Sequence, residues 1–343
     1  MKYASAAVTY PSITSAGLMI TYKCSNACKH CVYRCSPKND SGWISQEDLE
    51  QTMLWLKQLP NFHGLHIAGG EATLSPVKLV AAISQARKHG IPIEYLETNA
   101  FICRDFEKTC RLYRKLRDAG LSCIMISVSM YHLEFVPIRN TRNAIRAAEA
   151  VFGPGGYFIY PSHLWSLLQA MPHDGRFTLA EFIRHHNLSG AQLLQLFPLI
   201  PLGWVPDTLA QFYPHQPYTN FLDSSCADRL LSPFHAHIDL HGNIFTGSCC
   251  GISPFSIHQP PPATPVDPQQ APIFTTLVTH GPGGLLPLAR EYGFTPSPQG
   301  YISKCHFCYH LRRTLHATGK FPELRPRHFY TLDYPSQLLS TQQ

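Results

Sequence analysis

The stretch Gly17-Leu18-Met19-Ile20-Thr21-Tyr22-Lys23-Cys24-Ser25-Asn26-Ala27-Cys28-Lys29-His30-Cys31 decides how the chain is read. Its first six residues are a short, largely apolar run that predicts a β-strand. The strand delivers three cysteines, spaced C-x3-C-x2-C, onto one loop. Four cysteines normally hold a cubane iron–sulfur cluster. Three on one loop leave one iron open, much as a catalytic zinc keeps an open position. An open, redox-active iron can take a substrate or cofactor as its fourth ligand. A zinc knuckle is the alternative, but zinc motifs usually bring C-x2-4-C pairs with a second, distant pair.

Outward from this loop, Ser45-Gln46-Glu47-Asp48-Leu49 reads as a helix start with an N-cap serine and an acidic first turn. Leu49, Met53 and Leu56 form its apolar stripe. Leu65-His66-Ile67-Ala68 reads as a second strand, ending in Gly69-Gly70-Glu71. Strand, loop, helix, strand is a βαβ unit, whose chemistry gathers at the carboxyl ends of the strands. The alternation continues with helices predicted over 74–89, 105–119, 140–151 and 179–186. Strands are predicted over 91–97, 122–128, 157–160 and 192–199. Six strands alternating with helices argue for a parallel α/β arrangement.

At this point the chain resembles the radical S-adenosylmethionine (radical SAM) superfamily. The resemblance rests on C-x3-C-x2-C with aromatic His30 before the third cysteine, on Gly69-Gly70-Glu71 ending the next strand, and on the order of elements after them. It implies a partial (β/α)6 barrel, open on one side. It also implies that Cys24, Cys28 and Cys31 hold a 4Fe–4S cluster whose open iron is chelated by the amino and carboxylate groups of SAM. Glu71 and the Gly69-Gly70 backbone would hold the methionine amino group, since a carboxylate suits an ammonium and glycines allow close approach. His30 would pack against adenine. Ser127 and Ser129, ending the fourth strand, would contact ribose and carboxylate, with Thr98 and Asn99 facing the same opening. Strand-end hydroxyls and amides also serve as ordinary turn formers. Cys35 reads as a packed cysteine, because a fourth thiolate on the open iron would block SAM. Cys103, Cys110 and Cys123 read as buried small hydrophobes. The activity implied is reductive cleavage of SAM to a 5′-deoxyadenosyl radical and hydrogen abstraction from an unactivated C–H bond of a small-molecule or peptide substrate. A flavodoxin- or ferredoxin-type protein would supply the electron.

A second constellation comprises Cys226, the pair Cys249-Cys250, and Cys305-His306-Phe307-Cys308. Residues 237–245 form two apolar runs joined by Gly242-Asn243, which predicts a β-hairpin. A hairpin delivering a cysteine, then a C-x2-C opening a helix over 309–317, resembles the SPASM or twitch auxiliary-cluster domains of the same superfamily. That resemblance implies that Cys226, Cys249, Cys305 and Cys308 close around a second 4Fe–4S cluster. Cys250 is then spare, since adjacent strand residues face opposite sides. A full SPASM domain carries more cysteines after the C-x2-C, so one auxiliary cluster is expected, with structural zinc as the alternative. The H-x3-H spacings His237/His241 and His306/His310 leave a mixed Cys/His zinc site open.

The 343 residues, 44% hydrophobic and 15% charged, describe a globular chain with room for two domains. These are the barrel (16–220), preceded by an N-terminal extension (1–15), and an auxiliary-cluster domain with a C-terminal wrap (221–343), with a proline-rich loop over 257–272. No apolar run reaches the length of a membrane span, and no secretory signal opens the chain. Twelve cysteines then point to metal ligation and reduced thiols in a cytosol. The net charge of +6 comes without a Lys/Arg cluster interleaved with aromatics, which argues against nucleic acid. Fewer than twenty residues precede the first strand, so no fused peptide-leader-binding domain is expected there. Two rival readings remain. A glycyl-radical-enzyme activase usually has its extra cysteines near the N-terminus. A non-catalytic iron–sulfur or zinc protein would have no reason for Gly69-Gly70-Glu71.

Overall fold

The apolar run before the cysteines does form a strand, β1 (Ser15–Met19), buried along its whole length. The computed structural model describes residues 7–39 and 42–338; residues 1–6 of the expected extension and 339–343 of the expected wrap lie outside it. After β1 come α1 (Gln46–Gln58), β2 (Gly64–Ala68), α2 (Pro76–His89), β3 (Ile93–Thr98), α3 (Phe106–Ala119), β4 (Ile124–Ser127), α4 (Ile138–Phe152) and β5 (Tyr157–Tyr160). Next are α5 (Ser162–Gln169), α6 (Leu179–His185), α7 (Gly190–Leu196), α8 (Val205–Thr208) and α9 (Ala227–Leu230). The chain closes with β6 (Ala236–Asp239), β7 (Ile244–Thr246), α10 (Pro272–Glu291), α11 (Lys304–Ala317) and α12 (His328–Thr331).

The strands form one sheet in the order β5-β4-β3-β2-β1-β6-β7. All neighbours from β5 to β6 are parallel, and β7 is antiparallel to β6. β5 and β7 are its two edges, so the array is an open α/β sheet, as a partial (β/α)6 barrel requires. Side chains alternate across each strand. Ala16, Leu18, Leu65, Ile67, Leu96, Ile124, Ile126 and Ile238 are fully buried. They share one core with the apolar stripes of α1 (Leu49, Met53, Leu56), α2 (Leu79, Ile83, Ala86) and α3 (Tyr113, Leu116). The alternate positions, Gly17, His66, Glu97, Met125 and His237, face the other side.

Three expectations need correction. The sixth strand predicted over 192–199 is instead α7, whose start is a reciprocal capping box between Ser189 and Gln192. The sixth parallel strand is β6, one arm of the expected hairpin, which joins β1. The stretch 221–343 thus contributes β6 and β7 to the same sheet. α10 follows the proline-rich loop unannounced, because Gly281, at φ 61°, kinks it where the Ser224 carbonyl leaves no space for a Cβ. α11 also starts early enough to place Cys305 and Cys308 inside the helix.

Glu323, 3% exposed, fixes the start of α10 from a distance. Its carboxylate accepts from Ile273 N at 2.6 Å and Phe274 N at 2.9 Å, a cap that Ala271 cannot supply. Glu323→Ala strands two buried N–H groups and should lower stability by about 2–4 kcal/mol. Urea unfolding decides it: a change within about 0.5 kcal/mol, the level of ordinary surface substitutions, would mean the cap is idle. Among the described residues no helix is long and apolar enough to cross a membrane.

Candidate functional site

The turn after β2 is stitched to the segment that leads from β1 into the cysteine loop. Gly70 N donates to Thr21 O at 2.8 Å, and Glu71 N to Lys23 O at 3.0 Å. A Cβ on Gly70 would overlap the Lys23 carbonyl, and Gly69 sits at φ 147°. Two backbones approaching this closely leave room only for glycines.

Cys24, Cys28 and Cys31 lie on the loop so held, and each sulfur receives N–H donors. Asn26 N and Asn99 Nδ2 point at Cys24 Sγ (3.4 and 3.5 Å), Asn26 Nδ2 at Cys28 Sγ (3.7 Å), and Cys35 N at Cys31 Sγ (3.4 Å). Burial pushes the Cys24 and Cys28 thiols up, with Glu71 adding to the first and the neighbouring thiols to the second. Without a metal these two stay protonated. Cys31 is lowered, chiefly by its hydrogen bond with the Cys35 thiol, which is raised in return. No three of these sulfurs lie within 4.8 Å of one another among the described residues. The N–H donors around them are the kind that suit a multi-iron group, whose potential depends on hydrogen bonds to sulfur.

A cavity of about 330 Å³ opens between this loop and the strand ends, a size within the range of small-molecule sites. Of the residues singled out from sequence, it brings together Cys24, Cys28, Cys31, His30, Gly69, Gly70, Glu71, Thr98, Asn99 and Ser127. Ser129 is not among its lining. It is fully buried, with its hydroxyl 2.8 Å from His132 Nδ1, and so holds His132 against the cavity instead. His30 sits in a box of rings, 4.9 Å from Tyr131, 5.1 Å from His132 and 5.5 Å from Phe197. Burial, and His132 after it, lower its pKa and keep it neutral.

Glu71 is 1% exposed. Thr73 N at 3.2 Å, the Thr73 hydroxyl and Thr98 Oγ1 at 2.9 Å all donate to Oε1, while Asn99 N donates to Oε2 at 2.7 Å. A carboxylate offers about four acceptor positions, two per oxygen, so only Oε2 keeps one for a ligand. Burial nevertheless raises its pKa. Asn99 spans the site: its amide nitrogen reaches Cys24 and Ser25, and its Oδ1 accepts from Phe101 N at 2.9 Å. Sequence reasoning missed Asn26, Tyr33, Glu97, His132 and Phe197, which also serve or line this site. Only Glu97 carried a signal, as a charged residue next to a strand end. Burial and the nearby Glu71 push its carboxyl up to about 7.

The second set of cysteines converges around Arg312. Burial pushes Cys226 and Cys249 up to about 12, and each is further raised by Cys305 and Cys308. Cys305 and Cys308 are one turn apart at the start of α11, where Ser303 accepts from His306 N. Arg312 is 1% exposed and donates to the Cys250 carbonyl (2.9 Å) and Tyr330 OH (2.7 Å). No carboxylate lies within 4.0 Å of it among the described residues. The Cys250 thiol instead donates to the Ser248 carbonyl at 3.6 Å. His241 is exposed and stands apart from His237, while His306 and His310 face one another at 3.2 Å.

A family model described as the radical SAM superfamily matches residues 18–151. No curated protein matches the chain. Among solved structures it is similar to BtrN in complex with AdoMet and 2-DOIA, at 14% identity over 73% of this chain and 80% of that one (TM-score 0.40). It is also similar to native anSMEcpe with bound AdoMet and Cp18Cys peptide, at 18% identity over 42% of each chain (TM-score 0.32). SuiB of Streptococcus suis bound to S-adenosylmethionine is similar at 12% identity over 71% of this chain and 61% of that one (TM-score 0.33). The chain thus spans 42% of the length of the anSMEcpe protein. The family model covers the run from β1 into α4, including the cysteine loop and the glycine turn stitched to it, so that over residues 18–151 the chain carries a domain matching the radical SAM superfamily.

Proposed function

We propose that the protein binds a 4Fe–4S cluster through Cys24, Cys28 and Cys31, binds SAM in the adjoining cavity, and oxidises or rearranges a small-molecule or peptide substrate at an unactivated C–H bond. One observation carries this reading: three N–H-served cysteines and a tight glycine turn face each other across a single cavity. Together, the cluster, once reduced by an external one-electron donor, and SAM would supply cleavage of the sulfonium to methionine and a 5′-deoxyadenosyl radical able to take a hydrogen atom. The chain's own residues bind, orient and exclude. Asn26 and Asn99 steady the sulfurs. The Gly69-Gly70 backbone and the remaining position on Glu71 Oε2 receive the methionine ammonium. Neutral His30 offers a ring face to adenine, and Ser127 a hydroxyl to the ribose. Residues from the C-terminal part cover the loop and keep water away from it: Tyr334 OH donates to Ala27 O at 2.9 Å, and Arg34 to Leu332 O at 2.9 Å. Reductive cleavage tests the reading. Anaerobically purified protein given dithionite and SAM should release 5′-deoxyadenosine, and its absence from iron-replete protein would overturn the proposal.

The reading extends to a second, closed cluster on Cys226, Cys249, Cys305 and Cys308, able to accept the electron left on a substrate radical. Arg312 supports it. A buried guanidinium keeps its charge and needs an anion, and metal-bound thiolates beside it meet that need. The protein should then bind about eight irons per chain. Cys249→Ser should remove about four of them and Cys250→Ser none. The opposite pattern would exchange the two cysteines' roles, and zinc in place of the iron would remove the electron-acceptor role.

A further inference from the structure

The open face of the sheet carries a cluster that the cysteine chemistry does not use. His66 lies midway along β2, His237 midway along β6, and His235 just before β6. β1 separates β2 from β6, and at the crossing point it carries Gly17, paired in register with both His66 and His237. A Cβ there would strike both imidazoles, so glycine at this strand position lets two histidines meet across an intervening strand. The His66 and His235 rings stack at 5.0 Å, and His237 stands edge-on to both at 5.3 and 4.9 Å.

We propose that His66, His235 and His237 bind a divalent transition-metal ion, zinc above all, on the inner face of the sheet. One ring nitrogen from each lies within 4.8 Å of the others, the one such grouping of metal-binding side chains among the described residues. Both nitrogens of His66, itself 2% exposed, lack a hydrogen-bond partner, as does Nδ1 of His237. A buried polar atom left unpaired is unfavourable, and ligation satisfies it. Ser15 Oγ lies 2.5 Å from His235 Nδ1. With Nδ1–H donating to Ser15 Oγ, Nε2 is left to ligate, as outer-sphere partners of metal-bound histidines arrange. Glu97 Oε1, 3.4 Å from His66 Nε2, is the nearest carboxylate oxygen, and Glu97 also lines the cavity beside the cysteine loop. Burial lowers the pKa of all three rings, His66 to about 3, and the neighbouring histidines add to the effect at His66 and His237. Three imidazoles form a donor set that zinc accepts with a fourth position open. That position, on the Glu97 side, would give a substrate heteroatom an anchor below the cavity. The site is independent of the iron–sulfur reading.

Zinc K-edge X-ray absorption on wild-type protein, purified with its clusters and equilibrated with one equivalent of Zn2+, is the primary test. The expected first shell is nitrogen and oxygen at about 2.0–2.1 Å with imidazole outer scattering, and no sulfur at about 2.3 Å. A sulfur shell would send the zinc to the cysteines and overturn the proposal. So would failure to retain zinc through gel filtration. A second measurement compares bound zinc in His66→Asn/His237→Asn and in His235→Asn, the latter altering a half-buried ring that the fold can spare. Loss of about one zinc per chain, with iron unchanged, supports the site. Retention of that zinc in folded His235→Asn and in the double variant refutes it.

Discussion

Alanine in place of Cys24, Cys28 and Cys31 together is expected to abolish 5′-deoxyadenosine formation while leaving about four irons per chain on the second cysteine set. The three thiols share the cavity with the glycine turn, and the second set lies around Arg312. The fold should survive the change, because the loop is also held through its backbone. Trp204 N donates to Cys31 O at 3.0 Å, Thr208 Oγ1 to Lys29 O at 2.9 Å, and Lys29 pairs with Glu134. Asn99 loses a sulfur acceptor but its amide nitrogen keeps Ser25 Oγ at 3.2 Å, so the loss of partners falls mainly on Asn26. A triple variant that still cleaves SAM at the wild-type rate would move the chemistry elsewhere.

The second large effect is expected at Glu71. Alanine there releases four donors at once, from Thr73, Thr98 and the Asn99 backbone, in a pocket where Glu71 is 1% exposed. Since an unpaired buried donor is unfavourable by about 1–3 kcal/mol, a stability loss on the order of 3 kcal/mol or more is expected. SAM affinity should fall as well, by roughly 1.5–3 kcal/mol, through loss of a charge-assisted contact. Glu71→Gln separates the two effects. It keeps an acceptor oxygen for the threonines but removes the charge that meets an ammonium, so affinity should fall more than stability. Equal SAM binding in wild type and Glu71→Gln would confine Glu71 to bracing the strand ends.

The beginning of the chain was legible because its signals are local. An apolar strand, an N-cap at Ser45, Gly90 at φ 70° ending α2 and Asp105 capping α3 each act within a few residues of themselves. The cysteine loop and glycine turn were legible for the same reason. What escaped depends on distant partners. The apolar run 192–199 was read as a strand, although Ser189 and Gln192 spell a capping box that favours a helix. β6 was visible as a hairpin arm, but nothing near it says that it pairs with β1 some 220 residues earlier, the separation of the Ser15–His235 contact. For the same reason the spacing His237/His241 drew attention, while the grouping that forms takes His66 from another strand. Asn99 could be placed at a strand end, but its reach to Cys24 could not.

The loop around Cys24 is completed by residues made very late. Arg34 is held by Leu332 O, Tyr33 O by His328, and Ala27 O by Tyr334, contacts separated by 298, 295 and 307 positions. Closing so long a span carries an entropic penalty that only the finished chain repays. On the ribosome the N-terminal cysteines therefore emerge first and are enclosed last. If these cysteines hold the proposed cluster, its loading would precede the closing of residues 328–334 over it, and a chain stopped short of them should take up a cluster and then lose it to air.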